Sequence, residues 1–220
     1  MPGLPVPSSL RVLEPIDRVS EVLFGLIMVL TFTGSLSVAE AGREDVRAML
    51  VGALGCNLAW GLIDAILYLM ACLAERGRNL STFRAVRRAS MAADGHRVIA
   101  GALPPLVASL LDPAELEELR ARLLKLPEPS GANRLEKRDY LGALGVFLIV
   151  FLSTLPVAIP FMVMDDARVA MRFSNAIAIV LLFLTGYAFG HVTERSPFWA
   201  GCGIVVLGLL LVGLTIALGG

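Results

Sequence analysis

One aspartate stands inside an otherwise apolar run. Asp64 lies within residues 48–74, and Asn57, Gly61, Tyr68 and Cys72 accompany it at successive spacings of four, three, four and four. On a helix these positions share one face. An ionised carboxylate near the centre of a bilayer costs ~3 kcal/mol on insertion scales, so such residues are kept for a reason. One reason is a path for an ion or proton, lined by Asp64, Asn57 and Tyr68. The rival is an interhelical hydrogen-bonded clamp in which Asp64 is protonated or paired to a donor.

Other groups are weighed the same way. Glu21 stands at the mouth of the first apolar run, as a path residue or as an acid favoured by the helix dipole. Thr31, Thr33, Ser35 and Ser37 offer oxygens to a path or bond back to their own helix. Glu115 and Glu118 share a face at i, i+3 and form a possible divalent-cation pair. Against that, Glu117 with Arg120 and Glu118 with Arg122 suit surface ion pairs. His96 joins Met91 and Asp94 in a soft metal site only if a turn at Gly95 folds the imidazole back. Met162, Met164, Asp165 and Asp166 form either an exit site or core filling beside a hydrated loop. No HExxH, GxSxG, P-loop or CxxC is present, so an enzyme is not expected.

The elements that position these groups follow from hydropathy. The chain is 56% hydrophobic with a mean hydropathy of +0.76. Five runs have the ~20 residues that a helix needs to cross a hydrocarbon core. They are residues 22–39, 48–74, 141–164, 173–192 and 197–220. None alternates polar and apolar residues, and a helix satisfies its own backbone in lipid. The expected fold is therefore an all-α membrane protein of five transmembrane helices, with a helical cytoplasmic insert between the second and third. Its segments are residues 1–20, cytoplasmic; 21–74, spans one and two; 75–140, the insert; and 141–220, spans three to five. Residues 1–20 lack a basic stretch followed by an apolar one, so no cleaved signal peptide is expected. With the N-terminus inside, 15 of the 19 Lys and Arg residues fall on the cytoplasmic side, which places the C-terminus outside. Gly186 and Gly190 form a GxxxG in the fourth run, and Pro156 and Pro160 are expected to kink the third.

Within the insert, Asp112-Pro113-Ala114-Glu115 reads as a capping box opening a helix with Leu116, Leu119, Leu123 and Leu126 at helical spacing. An earlier helix is expected from about Leu80 to Asp94, closed by Gly95. Residues 96–111 form one helix or, with Pro104 and Pro105 in the middle, two pieces. Net charge is zero, and nothing suggests a nucleic-acid partner. Cys56, Cys72 and Cys202 all lie in apolar runs and read as inert buried thiols, with no permanently bound cofactor expected.

Glu21-Val-Leu-Phe-Gly25 with Leu30-Thr31, Gly52-Ala-Leu-Gly55 through Gly61, and the stretch from Gly186 through Arg195-Ser196-Pro197 together form a pattern. It resembles the vacuolar iron transporter family, whose members export Fe²⁺ or Mn²⁺ from the cytosol in exchange for protons. The resemblance covers about residues 18–75 and 140–220. It implies a homodimer with the path between subunits. The family's first-span aspartate falls at Met28 here, a glutamate of its second span at or beside Asn57, and a metal-path methionine near Asp64 or Ile63. The family's insert is rich in glutamate, whereas this one is rich in arginine. The resemblance implies a proton-coupled metal exporter, with Asp64, Asn57, Tyr68, Met28 and Glu21 along the path, and the short loops fit a bacterial inner membrane. The alternative is a non-transporting membrane scaffold or sensor whose cytoplasmic helices bind a partner.

Overall fold

A computed structural model of the protein describes residues 15–34, 43–128 and 134–217, and these are helical with no strand. In order the helices are α1 Pro15–Gly34, α2 Arg43–Arg88, α3 Ala92–Ala102, α4 Pro105–Leu110, α5 Pro113–Lys125, α6 Lys137–Val163, α7 Ala167–Val192 and α8 Pro197–Ala217. Four of them, α2, α6, α7 and α8, are long and apolar enough to cross a membrane. In α1 the apolar stretch Val19–Thr31 is shorter, and the rest of the expected first run, residues 35–39, lies outside the described residues. Contacts divide the chain into two units, Met1–Tyr68 with Leu141–Gly220, and Leu69–Tyr140.

In the first unit an apolar cluster joins Leu26, Val29 and Leu30 of α1 to Val157 of α6 and to Ala178 and Leu182 of α7. Ile204, Val205 and Val212 of α8 pack on it. Leucine is as comfortable in lipid as in such a cluster, so close packing and polar contacts must hold the helices together. Ser174 Oγ of α7 supplies one, donating to the Val157 carbonyl at 2.7 Å. Pro156 and Pro160 lie inside the continuous α6.

Glycines supply the closest approach. A Cβ on Gly186 would lie 2.7 Å from the Ala200 carbonyl oxygen and 2.8 Å from Gly201 Cα. One on Gly190 would lie 2.6 Å from Pro197 Cα. The GxxxG of α7 is thus filled by the backbone of α8 in the same chain. The turn between them is a tight helix ending: Arg195 N donates to the Gly190 carbonyl at 2.9 Å, and Glu194 takes φ 54°. That is the left-handed position at which helices usually place glycine.

The second unit is built by capping and ion pairs. Asp112 and Glu115 form the expected capping box, with Glu115 N donating to Asp112 Oδ1 at 2.8 Å and Asp112 N donating to Glu115 Oε2 at 2.9 Å. Pro104 falls between α3 and α4, which are two pieces. One expectation is overturned. There is no separate helix over 80–94 closed by Gly95: α2 continues to Arg88, and α3 begins at Ala92 with Gly95 inside it. No proline interrupts residues 75–88. Gly95 serves packing instead, since a Cβ there would sit 2.7 Å from Arg120 Cδ of α5.

Asp139, buried at the start of α6, accepts from Arg76 of α2 at 2.9 Å and from the Glu136 backbone at 2.6 Å. Arg76 also donates to the Arg134 carbonyl. A carboxylate taken from water is tolerable only with such full pairing.

The glycine contacts give a first prediction. Gly186→Ala is expected to lower resistance to SDS-induced unfolding by about 1–3 kcal/mol, the usual cost of overpacking. Gly203→Ala in α8, where a Cβ would meet nothing within 4 Å, is expected to be neutral or slightly stabilising.

Candidate functional site

The buried face of α2 carries Ala53, Asn57, Gly61 and Asp64, with Tyr68 half-buried in line. Leu58, Leu62, Ile63, Ile66 and Leu67 occupy its exposed sides. The structure therefore places Asn57, Gly61, Asp64 and Tyr68 on one face, as their spacing requires. Cys72, the fifth member, is half-buried in the second unit.

Asn57 is wholly buried. Its Nδ2 donates to the Phe151 carbonyl at 3.0 Å and to Thr154 Oγ1 of α6. The Thr154 hydroxyl in turn donates to the Phe151 carbonyl at 3.0 Å. A carbonyl accepts and never donates, so the amide has one orientation: its NH₂ faces α6 and its oxygen faces away. That oxygen, Oδ1, is buried with no hydrogen-bond partner among the described residues. Two turns on, Asp64 is 7% exposed, and its Oδ2 is also buried without a partner among the described residues. Seven residues of helix separate the two by ~10.5 Å along the axis.

Glycines shape both ends of this seam. A Cβ on Gly61 would lie 3.0 Å from the Phe147 ring. One on Gly142 would overlap the Tyr68 hydroxyl, so the phenol lies directly against the α6 backbone. On the α1 side, a Cβ on Gly25 would lie 2.9 Å from Thr154 Cγ2. Three helices, α1, α2 and α6, thus converge at Thr154. This residue was not singled out from the sequence. A hydroxyl two residues before Pro156, beside Ser153 in a run otherwise apolar, was the available signal.

The remaining candidates fall as follows. Met28 is half-buried and packs on the apolar cluster of α1, α6 and α7. Glu21 is half-buried in the second turn of α1. Thr31 and Thr33 bond back to the carbonyls of Ile27 and Leu30. Ser35 and Ser37 lie outside the described residues. Asp166 caps α7, accepting from the backbone of Arg168 at 2.8 Å, while Met162 is exposed.

In the second unit, Glu115 closes the capping box and Glu118 pairs with Arg122 at 2.5 Å. Both are exposed, one engaged in the cap and the other by Arg122. His96 lies within α3, not past a helix end, and its Nε2 sits 2.7 Å from Glu117 Oε2. Asp94 pairs with Arg97. Among the described residues, no group of three or more His, Cys, Asp or Glu side chains is arranged to hold a metal ion.

The Arg120 guanidinium, gripping Glu117 at 2.9 and 3.0 Å, and then the His96 hydrogen bond hold the Glu117 carboxyl down to about 2, from an ordinary 4.5. A depressed carboxyl stabilises the folded state above its ordinary pKa. That contribution disappears as pH falls through the folded value. Acid unfolding of the full chain between pH 4.5 and 2, followed by helical circular dichroism, is therefore expected to flatten in Glu117→Gln. The change is small, because solvent screens this exposed pair.

Thr154→Val keeps the shape of the seam but removes one of the two acceptors for Asn57. The expected loss is about 0.6–1.5 kcal/mol in SDS unfolding, the range of interhelical hydrogen bonds in membrane proteins.

No protein-family model matches this chain, and no curated protein matches it either. What the seam does has to be argued from its own atoms.

Proposed function

We propose that this protein is a membrane transporter that exports a divalent metal, Fe²⁺ or Mn²⁺, from the cytosol in exchange for protons. The observation that carries this reading is the pair of buried, unpartnered oxygens, Asn57 Oδ1 and Asp64 Oδ2, on one face of a helix long enough to span a membrane. Polar atoms without partners in an apolar interior cost several kcal/mol. A ligand that visits them in turn accounts for their retention. A carboxylate and an amide carbonyl are hard donors that suit Mn²⁺ or Fe²⁺. Ionised Asp64 takes the cation from the cytosolic side, and a proton arriving from outside discharges the carboxylate and releases it.

Tyr68 stands one turn beyond Asp64 on the same face, positioned to contact the hydrated ion. Glu21 and Met28 serve the α1 side of the path, with Met28 adding a softer donor. In this reading α1 belongs to the first of five spans, residues 22–39, of which 35–39 lie outside the described residues. The segment 1–20 and the insert 75–140 are cytoplasmic, following the distribution of Lys and Arg, and the C-terminus is outside. The resemblance to the vacuolar iron transporters supports a homodimer, and the short loops between the last three apolar runs suit a bacterial inner membrane. The family's acid-rich insert has no counterpart here: Glu115, Glu117 and Glu118 are occupied by a cap and by arginines. The proposal accordingly puts cation binding at Asp64.

One observation favours the alternative of a scaffold or sensor. Leu106, Val107 and Leu110, three of the six residues of α4, are exposed on the second unit, a surface that suits a protein partner.

Proteoliposomes loaded with a metal-sensitive dye separate the two. Wild-type protein is expected to carry Mn²⁺ or Fe²⁺ faster with a pH gradient than without one. Asp64→Asn, which keeps the shape and loses the charge, is expected to lower that flux at least tenfold while the protein stays folded. Wild-type flux in Asp64→Asn would exclude the path described. No flux of either ion through folded wild-type protein would turn the reading to the scaffold.

A further inference from the structure

At the end of the α7–α8 hairpin, rings from both helices form a continuous outward-facing row. Trp199 and Phe198 meet at 5.7 Å between centroids, Phe198 and Phe183 at 5.9 Å, Phe183 and Tyr187 at 6.2 Å, and Tyr187 and His191 at 5.0 Å. Trp199 is 72% exposed, and Phe198, Tyr187 and His191 are exposed as well. A contiguous exposed apolar row marks a contact with a membrane or a partner. Just beyond it the chain turns polar through Thr193, Glu194, Arg195 and Ser196. The side chain of Arg195 is exposed and makes no hydrogen bond or ion pair among the described residues.

We infer that this end of the hairpin is a lipid-anchoring surface, its rings seated at headgroup depth and Arg195 contacting lipid phosphate. The inference rests on α7 and α8 crossing a bilayer, as their length and hydropathy allow. Three features identify the occupant. The row is continuous with the apolar surface of two spanning helices. Amphipathic Trp and Tyr rings concentrate where hydrocarbon meets headgroups. The one cation at the tip is unpaired and stands where a phosphodiester lies. Oriented in this way, the row fixes how deep the hairpin sits and resists sliding along the membrane normal.

The two tryptophans of the chain, Trp60 and Trp199, make the test direct. Trp60 is near the middle of α2's apolar run and serves as the deep reference. The full chain carrying Trp60→Phe, and separately Trp199→Phe, is reconstituted in phosphatidylcholine brominated either near the headgroup or near the chain end. The fluorescence of Trp199 is expected to be quenched about twofold or more strongly by the shallow bromines, and that of Trp60 by the deep ones. In vesicles holding both lipid types, brominated phosphatidylglycerol is expected to quench Trp199 roughly twofold more than the same amount of brominated phosphatidylcholine. Arg195→Gln is expected to abolish that preference.

Deep-weighted quenching of Trp199 would overturn the anchor. So would no quenching of Trp199 while Trp60 is quenched, since a protein partner would then cover the row. An unchanged lipid preference in Arg195→Gln would overturn the phosphate contact. Failure of both tryptophans to be quenched in folded protein would remove the membrane-spanning reading and the anchor with it.

Discussion

The amide of Asn57 can point only one way, and much of the first unit follows from that. Its NH₂ is fixed by two acceptors on α6, the Phe151 carbonyl and the Thr154 hydroxyl. In hydrocarbon no water is available to replace either bond, so α2 and α6 are held in one register. Gly61 against Phe147 and Gly142 against Tyr68 continue the same seam, and Gly25 brings α1 to it at Thr154. The price of the arrangement is a carbonyl oxygen facing a place where nothing meets it. Asp64 adds a second such oxygen to the same face.

How much of this could be read in advance depends on the range of the interaction involved. The apolar runs beginning at 48, 141, 173 and 197 correspond to α2, α6, α7 and α8, because hydropathy over some twenty residues is a local property. The capping box at Asp112 and Glu115 was legible for the same reason: both of its bonds close within four residues. The shared face of Asn57, Gly61 and Asp64 came from helical period alone. Gly95 misled because glycine has two uses in helices, ending them or letting another element approach. Only Arg120, distant in sequence, decides between the two. Thr154 went unnoticed for a similar reason, as its importance comes from a partner 97 residues away.

The second unit is organised on a different principle. Five of its acids pair with arginines, and one of these with His96 as well: Asp94 with Arg97, Glu117 with Arg120 and His96, Glu118 with Arg122, Glu128 with Arg84 and Asp139 with Arg76. Most of these pairs are exposed and individually weak. Asp139 is the exception, since it is buried and also accepts from the backbone of Glu136. Charge here is largely spent on internal structure, in contrast to the unpaired oxygens of α2.

The close contact of α7 with α8 bears on how the chain is made. Gly186 and Gly190 lie against backbone only seven to fifteen residues ahead in sequence, and the turn between the helices closes on itself through Arg195 and Gly190. Closing so short a loop costs little entropy. The pairing of α7 with α8 therefore needs no distant part of the chain. The seam at Asn57 closes over 97 residues and so costs more entropy. Local pairing thus joins α7 to α8, whereas the polar face of α2 is covered only by long-range closure onto α6.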